Sequence, residues 1–452
     1  MEVSPFRGIR YNQRIVGDLA PVLCPPFDVI TPEQQRLCYE NSGYNAIRLE
    51  FPAESREPTV DPAEYFPPNR VDRYQAAAIT FQQWLKQGVL QVDRVSSFYL
   101  HDHHFEYSGK KRVRRGLIAR VKLKPWGRGI YPHEETFSKA KSDRLQLMRA
   151  CRANFSPLLS LYQGSEQEIA LKLAEAARGK PMIETAVPSP STGEGAEVHI
   201  LWAITDPEIK REISQFLSSQ PLYIADGHHR YETALNYRQE RAQAQSDFFD
   251  SSVIAREAKQ SLTDKGAFQY VMMELVDFSD PGLVVLPIHR LVRGIAPSIL
   301  VGLGEQLRRF FVLESLPLKA DTCHMPSDSC LGVLGLEPGL LVVLKKRQGV
   351  FFANMMPSNR SQAYREFGGS ILKHVILDKI LGLTSKEDVA YTVDLKAACQ
   401  QIKEGQYQLA FLLNPPQPGM VQAVADAKDR MPGKSTYFYP KLPTGLVINP
   451  LG

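Results

Sequence analysis

The chain has 452 residues, too many for one ordinary hydrophobic core, so two or three domains are expected. Its 43% hydrophobic and 23% charged residues are those of a soluble globular protein, and a net charge of +5 is too small to mark a nucleic-acid binder. Six cysteines without CxxC spacing argue against a zinc ribbon or a disulfide framework, no apolar run has membrane-span length, and the expected location is the cytoplasm.

The N-terminal region mixes short strands and helices. Ala46 to Phe51 alternates as a strand does, and Pro52 follows it. A helix is expected from about Tyr74 to Gln87. Ser97 to Tyr107 and Val113 to Leu123 pair as a hairpin about Ser108-Gly109, with the basic run Lys110 to Arg115 at its solvated tip. Within the hairpin, His101 and His103 share one strand face. No fourth ligand is in view, so an exposed polar face is preferred to a metal site and no metal ligand is assigned.

Next, Pro132-His133-Glu134-Glu135-Thr136 feeds a polar helix. His133 and Glu134 are either acid–base groups or part of a helix start whose glutamates favour the dipole. Pro181 to Gly195 reads as a loop and Glu197 to Ile204 as a strand.

The most informative stretch comes after them. The apolar strand Leu222-Tyr223-Ile224-Ala225 runs into Asp226-Gly227-His228-His229-Arg230, and an amphipathic helix follows at once. Glycine allows a tight turn or close approach to a ligand, and a helix N-terminus favours phosphate. Arg230 offers a fork of donors matched to phosphate, and the histidines titrate near neutral pH. The bland alternative is an exposed helix start capped by Asp226. Five such residues behind an apolar strand favour an anion site with acid–base chemistry beside it.

Residues 245–266 interrupt the pattern and resemble the translation of a dispersed genomic repeat, so a mobile inserted loop is expected there. From Phe268 onward strands alternate with helices: Leu283 to Leu291, containing Pro287-Ile288-His289-Arg290, then Leu331 to Leu336, Gly339 to Lys345 and Gly349 to Asn354. A helix is expected from Ser370 to Leu381 and a strand from Gln408 to Leu413. Gly433-Lys434-Ser435-Thr436 is not a P-loop, because Lys428 stands where that motif needs glycine, but Lys434 and Ser435 remain candidates for holding an anion.

Five stretches together resemble the bacterial and archaeal domain-of-unknown-function family numbered 1015. They are Pro25 to Ile30 with Asp28, Pro132 to Thr136, Asp226 to Tyr231, Pro287 to Arg290 and Met431 to Lys441. The 245–266 insertion and Gly433 depart from the family's usual form. More distantly, Asp226 to Arg230 followed by Ala234 is similar to the phosphate box of the ParB/sulfiredoxin-like superfamily, where a strand, a glycine turn and a helix N-terminus hold nucleotide phosphates. That superfamily includes free-serine kinases, sulfiredoxin and CTP-binding partition proteins. The reactive cysteine of sulfiredoxin and the helix-turn-helix of the partition proteins have no counterpart in this sequence.

The resemblance implies a mixed α/β (α+β) fold, ParB/sulfiredoxin-like in its N-terminal part, with a second α/β domain. The expected division is 1–242 for the domain bearing the turn, 243–267 for the inserted loop and 268–452 for the C-terminal domain. The implied activity is phosphoryl transfer, or phosphate-ester hydrolysis, on a small hydroxyl metabolite of the serine or phosphoserine type, with Mg²⁺ and a nucleotide. Gly227 and Arg230 would hold phosphate, His228 or His229 would act as acid or base, and Asp226 would orient a histidine or accept a proton. Asp28, Glu50, His289 and Arg290 are second-tier candidates. The alternative is a nucleotide-binding switch or adaptor without turnover, which would need the arginine and glycine but not paired histidines.

Overall fold

The structure is a computed structural model that describes residues 1–53, 72–136, 138–164, 167–189, 195–251, 266–318, 325–326, 330–383 and 385–452. The fold is mixed α/β and divides into two compact units. The first comprises Met1–Ile130, Phe137–Leu283 and Pro440–Gly452, and the second Tyr131–Thr136 and Val284–Tyr439.

In the first unit a large mixed sheet contains β1 (Val3–Ser4), β2 (Phe98–Tyr107), β3 (Lys110–Lys122), β4 (Leu158–Tyr162), β5 (Ile183–Pro188), β6 (Ala196–Ile204), β7 (Leu222–Asp226) and β8 (Tyr270–Asp277). From β7 the order is β7-β4-β8-β3-β2-β6-β5, with β1 beside β3; β4 and β8 run parallel and the other pairs antiparallel. The β2–β3 hairpin closes through Ser108 and Gly109 at φ 51° and 70°, the paired left-handed residues of a tight turn that follows the strand twist.

Both faces of this sheet are covered, so β2 is buried along most of its length rather than on alternate residues. The helices that cover it include α1 (Arg73–Lys86), α2 (Ser138–Cys151), α3 (Pro207–Ser219) and α4 (His228–Ser251). On one face Phe98, Leu100, Trp202 and Ile224 meet Ile213 and Phe216 of α3 and Tyr231 and Tyr237 of α4. On the other, Tyr99, Ile118, Leu201 and Met272 meet Phe81 and Trp84 of α1 and Leu446 to Ile448 near the C-terminus. Gly116 on β3 makes room for the Glu274 side chain, from which a Cβ there would lie 2.4 Å.

The second unit carries an antiparallel sheet of β9 (His289–Val292), β10 (Phe311–Pro317), β11 (Leu331–Leu334), β12 (Leu340–Lys346), β13 (Val389–Thr392) and β14 (Leu409–Leu412), ordered β10-β12-β11-β14-β9-β13. Leu303 and Leu307 of the helix Pro297–Arg308 pack on one face with Val342 and Phe411, and Ala398 packs on the other with Leu341 and Ala410.

Several expectations change. Ile47–Glu50 is a helical turn, not a strand, because the Asn45 side chain accepts from the Ile47 amide at 2.9 Å and starts it. Within 181–195, Ile183–Pro188 is a strand paired with β6. Phe352–Met355 is a 3-10 turn where a strand was expected, and Gly368–Ile371 continues as a π-helical stretch, Leu372–Ile380. The helix α4 runs on to Ser251, so the start of the expected inserted loop is helical, while 252–265 lie outside the described residues. The contacts divide the chain at Leu283 and again at Pro440, not at 268, because β8 sits between β3 and β4 in the first sheet. Five described cysteines carry free thiols, and Cys323 lies outside the described residues. No helix among the described residues is long and apolar enough to cross a membrane.

Candidate functional site

The strand β7 is apolar through Ala225 and is buried to that point. Its pairing with β4 shifts register between Ile224 and Asp226, which ends the ladder and releases the chain into the turn. Gly227 follows at φ 95°, and a Cβ there would meet Leu158 Cγ at 2.9 Å, so the position requires glycine on both conformational and steric grounds. The helix α4 begins at the next residue, and the first helical bond runs from the Tyr231 amide to the Gly227 carbonyl at 3.0 Å. A glycine therefore occupies the cap position, and the N-terminus of α4 follows it directly, the form of an anion seat.

This first turn is anchored by apolar and polar contacts. Tyr231 is fully buried, lies 4.4 Å from the Trp126 ring, and donates to the Lys124 carbonyl at 2.7 Å. Glu232 accepts from Trp126 at 3.2 Å and pairs with Lys141 at 2.8 Å.

A chain of charges runs beneath the turn. Arg230 Nη2 donates to Asp226 Oδ2 at 2.8 Å, while its Nη1 donates to Ser156 Oγ at 3.0 Å and to the Pro157 carbonyl at 2.7 Å. Ser156 in turn donates to Glu50 Oε1 at 3.0 Å. On the other side Lys441 donates to Asp226 Oδ1 and stands 3.7 Å from Asp28 Oδ2. Burial alone would push the Asp226 carboxyl up, but Lys441 and Arg230 outweigh it and hold the group well below the usual carboxylate range. His228 adds to the same field, which places its ring close to Asp226. A cavity of about 40 Å³ lies against the network, lined by Glu50, Arg144, Ser156, Leu158 and Arg230 among others.

The first unit thus brings together Asp226, Gly227, His228, His229, Arg230, Asp28 and Glu50. Both Nη atoms of Arg230 are engaged by protein acceptors, so this guanidinium braces the turn.

The remaining candidates belong to the second unit. His133 Nε2 meets Thr436 Oγ1 at 2.8 Å, the Met431 amide donates to the His133 carbonyl at 2.7 Å, and the Lys434 amide donates to Glu134 Oε1 at 2.6 Å. Ser435 donates to the Pro432 carbonyl. After Thr436 the chain enters the strand Tyr437–Tyr439 with no helix, which removes the last ground for a P-loop. Arg290 is buried beneath Tyr391, 4.9 Å from its ring centre, and Glu134 contributes to its field. Burial, and then Arg290, push His289 down to about 4, so it is neutral at pH 7 and its Nδ1 accepts from the Leu413 amide at 3.2 Å. Lys434 is exposed, whereas His133, Ser435, His289 and Arg290 are buried.

Lys441 and Ser156 were missed as functional residues. Lys441 closes a stretch already singled out, Met431 to Lys441, but nothing local distinguishes it from a surface lysine. Ser156 carries no sequence signal at all.

Comparison with solved structures gives distant likenesses. A free serine kinase in complex with AMP shares 10% identity at a TM-score of 0.34, over 71% of this chain and 86% of that one. A conserved hypothetical protein from Pyrococcus furiosus shares 12% at a TM-score of 0.31, over 71% and 96%. SbnI with a C-terminal truncation, from Staphylococcus aureus, shares 10% at 0.31, over 71% and 82%. These overlaps are too slight to carry a functional argument. No curated protein matches the sequence. Residues 3–366 match the family described as protein of unknown function DUF1015, and the chain belongs to that family.

Proposed function

We propose that this protein moves a phosphoryl group to or from a small hydroxyl metabolite of the serine type, with the phosphate seated at the N-terminus of α4. The observation that carries this reading is the turn itself: a glycine cap at φ 95°, two histidines in the first helical turn, and an ionised aspartate fixed behind them by Lys441 and Arg230.

In this reading the amides of the first turn and the positive end of the helix dipole receive the phosphate oxygens. His228 or His229 takes the proton from the substrate hydroxyl, or from an attacking water in the hydrolytic direction. Asp226, kept anionic, orients the neighbouring imidazole and stabilises it when protonated. Arg230, braced on Ser156 and Pro157, keeps Asp226 in place.

Mg²⁺ fits the site in one respect only. Both Asp226 oxygens are engaged by cationic side chains, so Asp28, which is about a third exposed at 34%, is the carboxylate that would hold the ion together with nucleotide phosphates. The ion would neutralise phosphate charge during transfer.

The test is turnover. Purified protein with Mg²⁺, ATP or ADP, and L-serine should form O-phosphoserine, detected by phosphorus NMR, or should run the reaction in reverse from phosphoserine. Nucleotide binding without any phosphoryl transfer or hydrolysis across a panel of hydroxyl amino acids would replace the enzyme by a nucleotide-binding switch.

A further inference from the structure

The first-unit sheet contains a second polar cluster, separate from the turn, on the face shared with Tyr99. Strand alternation places His101 and His103 of β2 on this face, and the antiparallel register sets His199 of β6 directly opposite His103. Glu197 follows two residues away on β6. All four are buried, His101, His103 and His199 completely, which overturns the expectation of an exposed polar face. Ionisable side chains in such a place need a partner for every polar atom.

The hydrogen bonds fix the tautomers. Glu274 Oε2 lies 2.9 Å from His101 Nδ1 and accepts from it, so His101 Nε2 carries a lone pair. That atom lies 3.1 Å from His199 Nδ1, which must therefore be the N–H. His199 is left with a bare lone pair on Nε2, buried and with no hydrogen-bond partner among the described residues. Beside it, His103 Nε2, whose ring accepts from Arg114 at Nδ1, donates to Glu197 Oε2 at 2.8 Å, and Ser189 donates to the other Glu197 oxygen at 2.9 Å. One ligand atom each from His103, Glu197 and His199 lie within 4.8 Å of one another, and the His103 and His199 rings are 4.2 Å apart.

We infer that His199, His103 and Glu197 form a binding site for a divalent transition-metal ion of the zinc class. Two imidazoles and a carboxylate are a zinc ligand set, and an orphaned imidazole lone pair is what a metal occupies. The His199–His101–Glu274 relay is the outer shell such a ligand needs, since it fixes the ring and its tautomer. On binding, the metal displaces the Nε2 proton of His103, which leaves to solvent, and His103 binds as an imidazolate whose Nδ1 accepts from Arg114. Arg114, whose Nη2 lies 3.2 Å from His103 Nδ1, sets its positive charge on the far side of that ring. It stabilises the ring once the proton is lost, and its repulsion of the ion weakens affinity relative to a site without it. Mg²⁺, which prefers oxygen ligands and retains its waters, is excluded.

The full-length protein, expressed with zinc in the medium and purified without chelators, should contain about one zinc per chain by elemental analysis. His199→Gln and Glu197→Gln should each bring this to below about a tenth while circular dichroism stays that of the folded wild type. An anomalous-scattering peak at the zinc edge in wild-type crystals should lie between the three side chains, and it answers the question even if both variants fail to fold. Wild-type protein with less than about a tenth of an equivalent of zinc, folded variants that keep the full equivalent, or an anomalous peak elsewhere would overturn the assignment.

Discussion

Asp226 shows how neighbours decide the state of a single group. Its side chain is only 17% exposed, which alone would favour the neutral acid, but two cations prevail and keep it charged. Removing one of them is therefore costly. Arg230→Ala should destabilise the protein by roughly 3 kcal/mol, because it strips a buried carboxylate of one partner and leaves Ser156 unbraced. Arg230→Lys should recover only part of this, since one ammonium cannot span all three acceptors; denaturant unfolding measures both variants. His289 has the opposite sign of linkage to a salt-bridged histidine. Its pKa falls from 6.5 to about 4 on folding, so the unfolded chain takes up the proton first as pH drops. Stability is full above pH 6.5 and is lost between there and about 4, by on the order of 3 kcal/mol. His289→Asn, which keeps an acceptor for the Leu413 amide, should flatten that part of the stability profile.

The strand–turn–helix element around Gly227 was legible in the sequence because its chemistry is local: an apolar run, then glycine, then polar residues at a helix start. What lies behind it was not, because Lys441 is 215 residues from Asp226 and only the tertiary fold brings them together. The hairpin about Ser108-Gly109 was legible for the same local reason, while Ala46 to Phe51 misled because alternation over six residues cannot show a side-chain cap at Asn45. The histidines of β2 misled in another way, since sequence shows a shared strand face but not that both sides of the sheet are covered. Two glycines test these elements. Gly227→Ala should cost about 1–3 kcal/mol through its positive φ and the Leu158 contact. Gly116→Ala should cost a similar amount, about 1–3 kcal/mol, by forcing Glu274 away from His101. Thermal unfolding of each variant reads both effects.

At the scale of the molecule, the first unit is discontinuous in sequence. It is completed by β8 and by the last residues of the chain, which supply Lys441 and the buried Leu442, Leu446, Val447, Ile448 and Leu451. Truncation after Tyr439 should therefore lower the unfolding midpoint of this unit sharply and abolish ligand binding at the turn, although it removes no residue of the turn itself. The family match carries no chemistry of its own, so the proposed function rests on the histidines at the start of α4. The most direct test compares affinity with turnover in His228→Gln and His229→Gln, using phosphoserine and ADP with Mg²⁺. Glutamine keeps much of the shape and hydrogen bonding of histidine but cannot serve as an acid–base group near neutral pH. At least one variant should bind within a few-fold of wild type yet lose about a hundredfold or more in turnover. Turnover unchanged in both variants would contradict the account.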